Sequence, residues 1–324
     1  MLKDRFERRI NYLRISITDR CNLKCRYCVD GKVPFVPHSE ILSYEEITRF
    51  VRVCSKLGIT KVRLTGGEPL LRKGLSLLIR SLTSIEGIED ISLTTNGVLL
   101  EEKISELKEC GLKRINVSLD TLKKDRFRYI TGFDEIEKVI RGIEKALLFG
   151  LRPVKINTVI IKGINDDEVV DFVEIASRLD LEIRFIEFMP FGEEGFWTEE
   201  RVVPTELIRK RIEEHFELEP DLNSEQGPAV VYRIKNGKGK VGFISPVSSH
   251  LCTSCNRIRL TSRGRIKPCL FSDVEYDLKS ALRSGASDEE IERLIVKAVK
   301  EKPERKEEHG LIRKCQRSLR HIGG

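Results

Sequence analysis

A chain of 324 residues with 40% apolar and 34% charged residues can bury the core of one large domain plus a smaller one, and its many Leu, Ile and Val runs exclude disorder throughout. No stretch approaches the roughly 20 uninterrupted apolar residues of a membrane-spanning helix, and the N-terminal residues lack the apolar segment of a signal peptide, so a cytoplasmic protein with no membrane partner is expected. Lys and Arg outnumber Asp and Glu by 58 to 51, a net charge of +7, which suits an anionic ligand but is too small to imply nucleic acid.

From the N-terminus to about residue 190, short β-rich runs alternate with helical patterns. The strands predicted are 12–18, 61–65, 91–95, 114–119, 154–161 and 182–188; amphipathic helices are predicted near 44–57, 74–84, 99–110, 134–150 and 166–178. Six strands separated by helices make a parallel βα array, either an open sheet or a partial barrel. Parallel strands covered by helices usually read as continuous apolar runs. Here only one parity is apolar, as in Leu13, Ile15 and Ile17. The other carries Arg14, Ser16, Thr18, Lys61, Arg63, Thr65, Ser92, Thr94, Asn116, Ser118, Asp120, Lys155, Asn157 and Arg184. Side chains alternate faces, so the apolar parity should meet the helices. The polar parity then lines a concave surface fit for an anionic ligand, or else is an exposed polar face.

The pattern changes after Met189-Pro190, dividing the chain into regions 1–190 and 191–324. A loop at 192–196 and a helix at 204–216 are expected. Short antiparallel strands should follow at 230–234, 240–244 and 256–261, with turns at Asn236-Gly237 and Arg263-Gly264. Helices near 274–283 and 288–301 come next, then a charged, solvated loop at 301–309.

Nine cysteines in a reducing compartment should not form a disulfide framework. Cys54, Cys110 and Cys315 read as incidental or buried thiols. The other six form two groups. Cys21, Cys25 and Cys28 stand in C-x3-C-x2-C spacing just after the first strand, where ligand sites of α/β folds form. Iron–sulfur cubanes normally take four protein thiolates; three would leave one iron open. Zinc with His38 as fourth ligand is the competing reading. Cys252, Cys255 and Cys269 form the second trio, with zinc and His250 as its alternative. Five basic residues and no acid lie between Cys252 and Cys269, which suits a phosphate-bearing ligand.

The first cysteine motif, followed by Gly66-Gly67-Glu68-Pro69 after the second strand, resembles that of the radical S-adenosylmethionine enzymes. The run from Leu13 to Asn22, the second trio with Cys255-Asn256-Arg257-Ile258-Arg259, and the terminal Gly323-Gly324 are similar to the GTP 3′,8-cyclase family of molybdenum cofactor biosynthesis, over nearly the whole chain. Arg317-Ser318-Leu319-Arg320-His321 departs from the methionine-rich sequence expected before the glycines.

The resemblance implies a partial (βα)6 TIM-like barrel with a C-terminal α+β region carrying a second cluster. It implies two 4Fe-4S clusters, on Cys21, Cys25 and Cys28 and on Cys252, Cys255 and Cys269, with S-adenosylmethionine as cofactor. Adenosylmethionine contacts fall on Tyr27, Gly67, Ser118 and Met189. GTP contacts fall on Arg14, Lys61, Arg63, Thr94, Lys155 and Arg184, and on Arg257, Ile258 and Arg259; the Gly323-Gly324 tail enters the cavity. No protein acid–base catalyst is identified. The implied reaction takes the 3′ hydrogen of GTP with a 5′-deoxyadenosyl radical, joins C3′ to guanine C8, and adds an electron and a proton. An electron donor and, downstream, cyclic pyranopterin monophosphate synthase are the implied partners, with a monomeric or homodimeric enzyme. The rival expectations are a peptide-modifying radical enzyme, with more cysteines near the second trio, and a non-catalytic zinc or iron–sulfur module.

Overall fold

The computed structural model describes residues 1–28, 34–223, 227–249, 252–305 and 319–323. Six parallel strands form the centre of the fold: β1 (Tyr12–Ser16), β2 (Lys61–Thr65), β3 (Asp90–Thr95), β4 (Arg114–Ser118), β5 (Val154–Ile160) and β6 (Leu181–Glu187). They pair in chain order. The connecting helices are α1 (Tyr44–Lys56), α2 (Leu75–Thr83), α3 (Leu100–Glu109), α4 (Lys124–Thr131), α5 (Ile136–Leu148) and α6 (Val169–Arg178). A capping box starts α1: Ser43 Oγ accepts from Glu46 N at 3.2 Å, and Glu46 Oε2 accepts from Ser43 N at 2.7 Å, an arrangement that contributes about 1 kcal/mol. Its face of Ile47, Phe50, Val51, Val53 and Cys54 is buried. The sheet's apolar parity meets it and the other helices: Leu13, Ile15, Val62, Leu64, Ile115 and Val117 belong to the same core.

The helix α4 is absent from the sequence reading. Its apolar positions are few among Lys124, Asp125, Arg126 and Arg128, and a buried side of only Phe127, Ile130 and Thr131 leaves a weak periodic signal.

The C-terminal strands extend this same sheet at both ends. Strands β7 (Leu218–Pro220) and β9 (Lys240–Ile244) each pair antiparallel with β8 (Val230–Ile234), as expected of β8 and β9, but β9 then lies parallel to β6, with Arg184 opposite Gly242. At the other end, β10 (Arg257–Leu260) lies parallel to β1, with Arg259 opposite Arg14, and β11 (Arg265–Lys267) and β12 (Tyr276–Asp277) follow antiparallel. The result is a 12-stranded sheet. Four helices complete the described chain: α7 (Thr205–Glu213), α8 (Leu278–Arg283), α9 (Asp288–Lys300) and the short α10 (Leu319–Ile322).

The stretch expected as a solvated loop departs from that reading at its start. Lys302 is 2% exposed, because its ammonium reaches two backbone carbonyls inside the molecule. Residues 306–309, His250 and Cys315 lie outside the described residues.

Candidate active site

The first cysteine trio sits on the loop leaving β1. Two turns hold this loop from opposite sides, each by backbone contact that a side chain would block. Gly67 N donates to Thr18 O and Glu68 N to Arg20 O, both at 2.7 Å, and a Cβ on Gly67 would stand 2.2 Å from Arg20 O. Gly192, at φ +85°, approaches the loop from the β6 side; a Cβ there would stand 2.4 Å from Arg26 O. Only glycine allows such approaches at little cost. Glu68 is fully buried and accepts from Leu70 N, Thr95 Oγ1 and Asn96 N at 2.9, 2.8 and 2.7 Å. Burial outweighs these bonds and raises its carboxyl to about 7. Asn96 in turn donates to Asn22 Oδ1 at 2.8 Å and approaches Cys21 Sγ at 3.7 Å.

Burial pushes the Cys21 thiol up to about 11 and, with neighbouring Cys21, the Cys28 thiol up to about 12; Cys25 is raised by burial and by Cys28. Thiols so placed ionise readily only against a strong positive group. Three of them on one half-buried loop therefore fit iron–sulfur ligation. Tyr27, between two of these cysteines, donates its hydroxyl to Asp120 Oδ2 at 2.8 Å.

Next to this loop the sheet's polar parity lines a cavity of about 1170 Å³ including its solvent-filled mouth, with Arg14, Arg63, Thr94, Asn157, Arg184, Met189, Arg257 and Arg259 on its walls together with Cys252, Cys255 and Cys269. Residues of β10 at one end of the sheet and Ile244 of β9 at the other share it, so the sheet curls around a common lumen. Arg14 Nε, Thr94 Oγ1, Asn116 Oδ1 and Asn157 Oδ1 are buried with no hydrogen-bond partner among the described residues. Leaving such groups unpaired costs about 1–3 kcal/mol each; a polar ligand would recover it. Burial and Arg184 lower the Lys155 ammonium to about 8, against the pull of Glu182. Burial and Arg257 lower Arg259 to about 10. A buried acid stands beside two of these cations: Glu182 lies 2.5 Å from Arg184 Nε and 3.0 Å from Lys155 Nζ, holding both side chains in place.

The second trio lies beside cations. Arg8 donates to Cys252 O at 2.8 Å, and Lys302 Nζ donates to Arg257 O at 3.1 Å and Pro268 O at 2.8 Å. Burial alone would raise the Cys255 thiol, but Lys302 and Arg257 outweigh it and bring it down to about 6. A thiol group already biased toward its ionised form also fits cluster ligation.

The tail docks over the ends of β1 and β10. Gly323 O accepts from Arg259, Ser262 N donates to His321 O at 3.0 Å, and Leu319 N donates to Cys28 O at 3.2 Å. At Gly323, φ is +74° and a Cβ would stand 2.5 Å from Thr65 Cγ2. Gly324 lies outside the described residues.

The other sequence-derived residues separate into groups. Ser118 is opposite Asn157 in register, above the lumen. Lys61 is opposite Asp90, at the far end of the strands from the cysteine loop, and is not among the cavity walls. Ile258 is a correction: as the apolar parity of β10 it points into the hydrophobic core, so only its backbone could reach a ligand. His38 lies on a 3-10 turn (His38–Glu40) with no buried residue. Asn157 was read on the lumen parity; Glu182 shares that parity with Arg184 and was missed, although the same alternation marks it. Arg8 and Lys302 carry no local signal, because only the long-range fold brings them to the second trio.

Curled parallel βα units with three cysteines on the loop after β1 define a radical S-adenosylmethionine protein; residues 15–176 match the Radical SAM superfamily and residues 181–308 match Molybdenum Cofactor Synthesis C. The chain is 50% identical over 326 residues to a GTP 3′,8-cyclase of Thermodesulfovibrio yellowstonii, covering 100% of both chains. It is 49% identical over 324 residues to that of Syntrophomonas wolfei, covering 99% of each. The chain belongs to the GTP 3′,8-cyclase family. Among solved structures it shares its fold with Streptococcus suis SuiB bound to S-adenosylmethionine, at TM-score 0.60 and 15% identity over 87% of this chain and 67% of that one. It also shares it with anSMEcpe with bound AdoMet, at TM-score 0.60 and 19% identity over 92% and 79%.

Proposed function

We propose that the chain cyclises GTP to (8S)-3′,8-cyclo-7,8-dihydroguanosine 5′-triphosphate, a lyase reaction opening molybdopterin biosynthesis. The observation that carries this reading is the lumen: unpaired buried polar atoms and a surplus of cations share it with the second cysteine trio in the cavity wall, on a sheet whose first strand leads into the first trio. Cys21, Cys25 and Cys28 would hold the first 4Fe-4S cluster, and Cys252, Cys255 and Cys269 the second. Bound there, the first cluster with S-adenosylmethionine supplies a carbon-centred radical able to remove an unactivated ribose hydrogen.

The chain's own residues bind, orient and shield. Tyr27, Gly67, Ser118 and Met189 border the adenosylmethionine position. Arg14, Arg63, Arg184, Arg257 and Arg259 face the triphosphate, with Lys155 held near them by Glu182; charge-assisted bonds of this kind are the stronger ones. Thr94 and Asn157 offer their unpaired atoms to the nucleoside. Lys61 and the Ile258 backbone are outer members of the same set. The tail, tied to Arg259 through Gly323, closes the lumen near Ser16 and Thr65 and keeps water from the reacting carbon.

The protein works with a one-electron donor in the cytoplasm, as a monomer or homodimer, and its product goes to cyclic pyranopterin monophosphate synthase. Among the described residues no helix is long and apolar enough to cross a membrane. The test is mass spectrometry of products from anaerobically reconstituted, reduced protein given S-adenosylmethionine and GTP. A product isomeric with GTP, of equal mass but separable from it by chromatography, formed with 5′-deoxyadenosine, is expected. Adenosylmethionine cleavage with GTP left intact overturns the proposal, and zinc without sulfide in the purified protein favours the non-catalytic module.

A further inference from the structure

We propose that Lys302 is a positioning residue for the second cysteine trio, clamping its two halves together and supplying the uncompensated positive charge that sets its electron affinity. The trio is discontinuous: Cys252 and Cys255 precede β10, while Cys269 follows β11. Lys302 bridges that gap. From the segment after α9 its ammonium donates to the carbonyl of Arg257, two residues beyond Cys255, and to that of Pro268, which immediately precedes Cys269.

A second cation shows why the charge of Lys302 matters. Arg8 also reaches the trio, through Cys252 O, and binds Pro303 O at 2.5 Å and Glu304 O at 2.9 Å, which fastens the segment carrying Lys302. The charge of Arg8 is matched by fully buried Asp4, 2.6 Å away. Lys302 is 2% exposed and forms no ion pair with a carboxylate among the described residues. Burying an ammonium against carbonyls and the Cys255 thiol, with no carboxylate beside it, is costly. An anionic group at the three cysteines would repay that cost, and in a site shielded from water one charge at close range shifts the group's equilibrium with an electron substantially.

The inference rests on the reading of Cys252, Cys255 and Cys269 as an iron–sulfur site. The experiment compares wild type, Lys302→Gln and Lys302→Arg, all reconstituted anaerobically without GTP. Iron and sulfide are counted, and each cluster's midpoint potential is followed by electron paramagnetic resonance. Lys302→Gln keeps a donor and loses the charge. Its second cluster should become about tenfold harder to reduce, equivalent to about 59 mV for one electron, with the first cluster unmoved. Lys302→Arg should stay near wild type.

If Lys302→Gln loses iron at the second trio alone while Lys302→Arg retains it, the clamp is supported directly. Unchanged iron and potential in Lys302→Gln overturn the proposal, as does equal loss of both clusters with a collapsed melting temperature, which marks a general core defect. A wild-type chain holding iron only at the first trio overturns the underlying reading instead.

Discussion

The two cysteine trios are built on opposite electrostatic plans. The first stands on one short loop: partial burial raises its thiols, and the loop is fastened by close backbone approaches at Gly67 and Gly192. The second is assembled from distant parts of the chain beside cations, and Cys255 is lowered to about 6 despite its burial. A site of the first kind leaves charge compensation to what binds it. The second brings compensation of its own and passes it on to the lumen, where Arg257 and Arg259 continue the positive surface. The same residue triplet can thus serve a reactive cofactor in one place and substrate capture in another.

The largest effect expected from this contrast is a division of labour between cysteines. Cys25→Ser should abolish cleavage of S-adenosylmethionine, while Cys255→Ser should retain cleavage and lose GTP binding and turnover. Assaying 5′-deoxyadenosine beside GTP binding separates them; equal loss of cleavage in both, with the first cluster intact in Cys255→Ser, breaks the distinction.

A smaller loss is expected in the lumen. A charge-assisted bond contributes about 1.5–3 kcal/mol, so Arg63→Ala or Lys155→Ala should weaken GTP about tenfold or more, and guanosine much less. Calorimetric titration with both ligands checks this. Unchanged GTP affinity in both variants would remove the lumen from the substrate site.

Gly67→Ala probes the locally held trio. With Arg20 O 2.2 Å from the new Cβ, overpacking should destabilise the protein by about 1–3 kcal/mol and reduce iron at the first trio while sparing the second. Thermal unfolding and iron analysis read the two effects. A variant that melts and loads like wild type shows that the turn yields without disturbing the loop.

The smallest effect is a pH response of the tail. Burial first, then Arg263 and Arg320, lower His321 to about 4 from 6.5, and Asp19 only partly opposes them. The docked tail therefore favours neutral imidazole and binds fewer protons than the undocked tail between those values. Docking should strengthen as pH rises through that window and weaken as pH falls from 6.5 toward 4. Hydrogen exchange at Ser262 N–H, which donates to His321 O, corrected for intrinsic rates, reports it. His321→Gln should flatten the response, and a flat wild-type profile would show that the imidazole does not govern docking.

Much of this was legible because alternation is a local property. Arg14, Arg63, Thr94 and Arg184 were assigned to the lumen from strand parity alone, and the structure places them on one cavity wall. The same rule applied to β10 separates Arg257 and Arg259 from Ile258, which was expected among the GTP contacts and which the structure places in the core. The parallel seams β6–β9 and β1–β10 were not legible, since strand partners far apart in sequence leave no periodic trace. The burial of Lys302 was hidden for the same reason: in a charged run nothing marks the one lysine that a distant pair of carbonyls draws inward.

Those seams also govern how the protein comes into being on the ribosome. Asn11 and Asn256, joined side chain to side chain at the β1–β10 seam, are 245 residues apart, so the first strand emerges long before its outer neighbour. Until the last third of the chain appears, β1 and β6 are bare edges whose N–H and C=O groups can recruit another copy. Pairing across such separations is slow, and the waiting intermediate is prone to aggregate. A fragment ending near residue 190 would keep those edges permanently, and should accumulate in inclusion bodies where the complete chain stays dispersed.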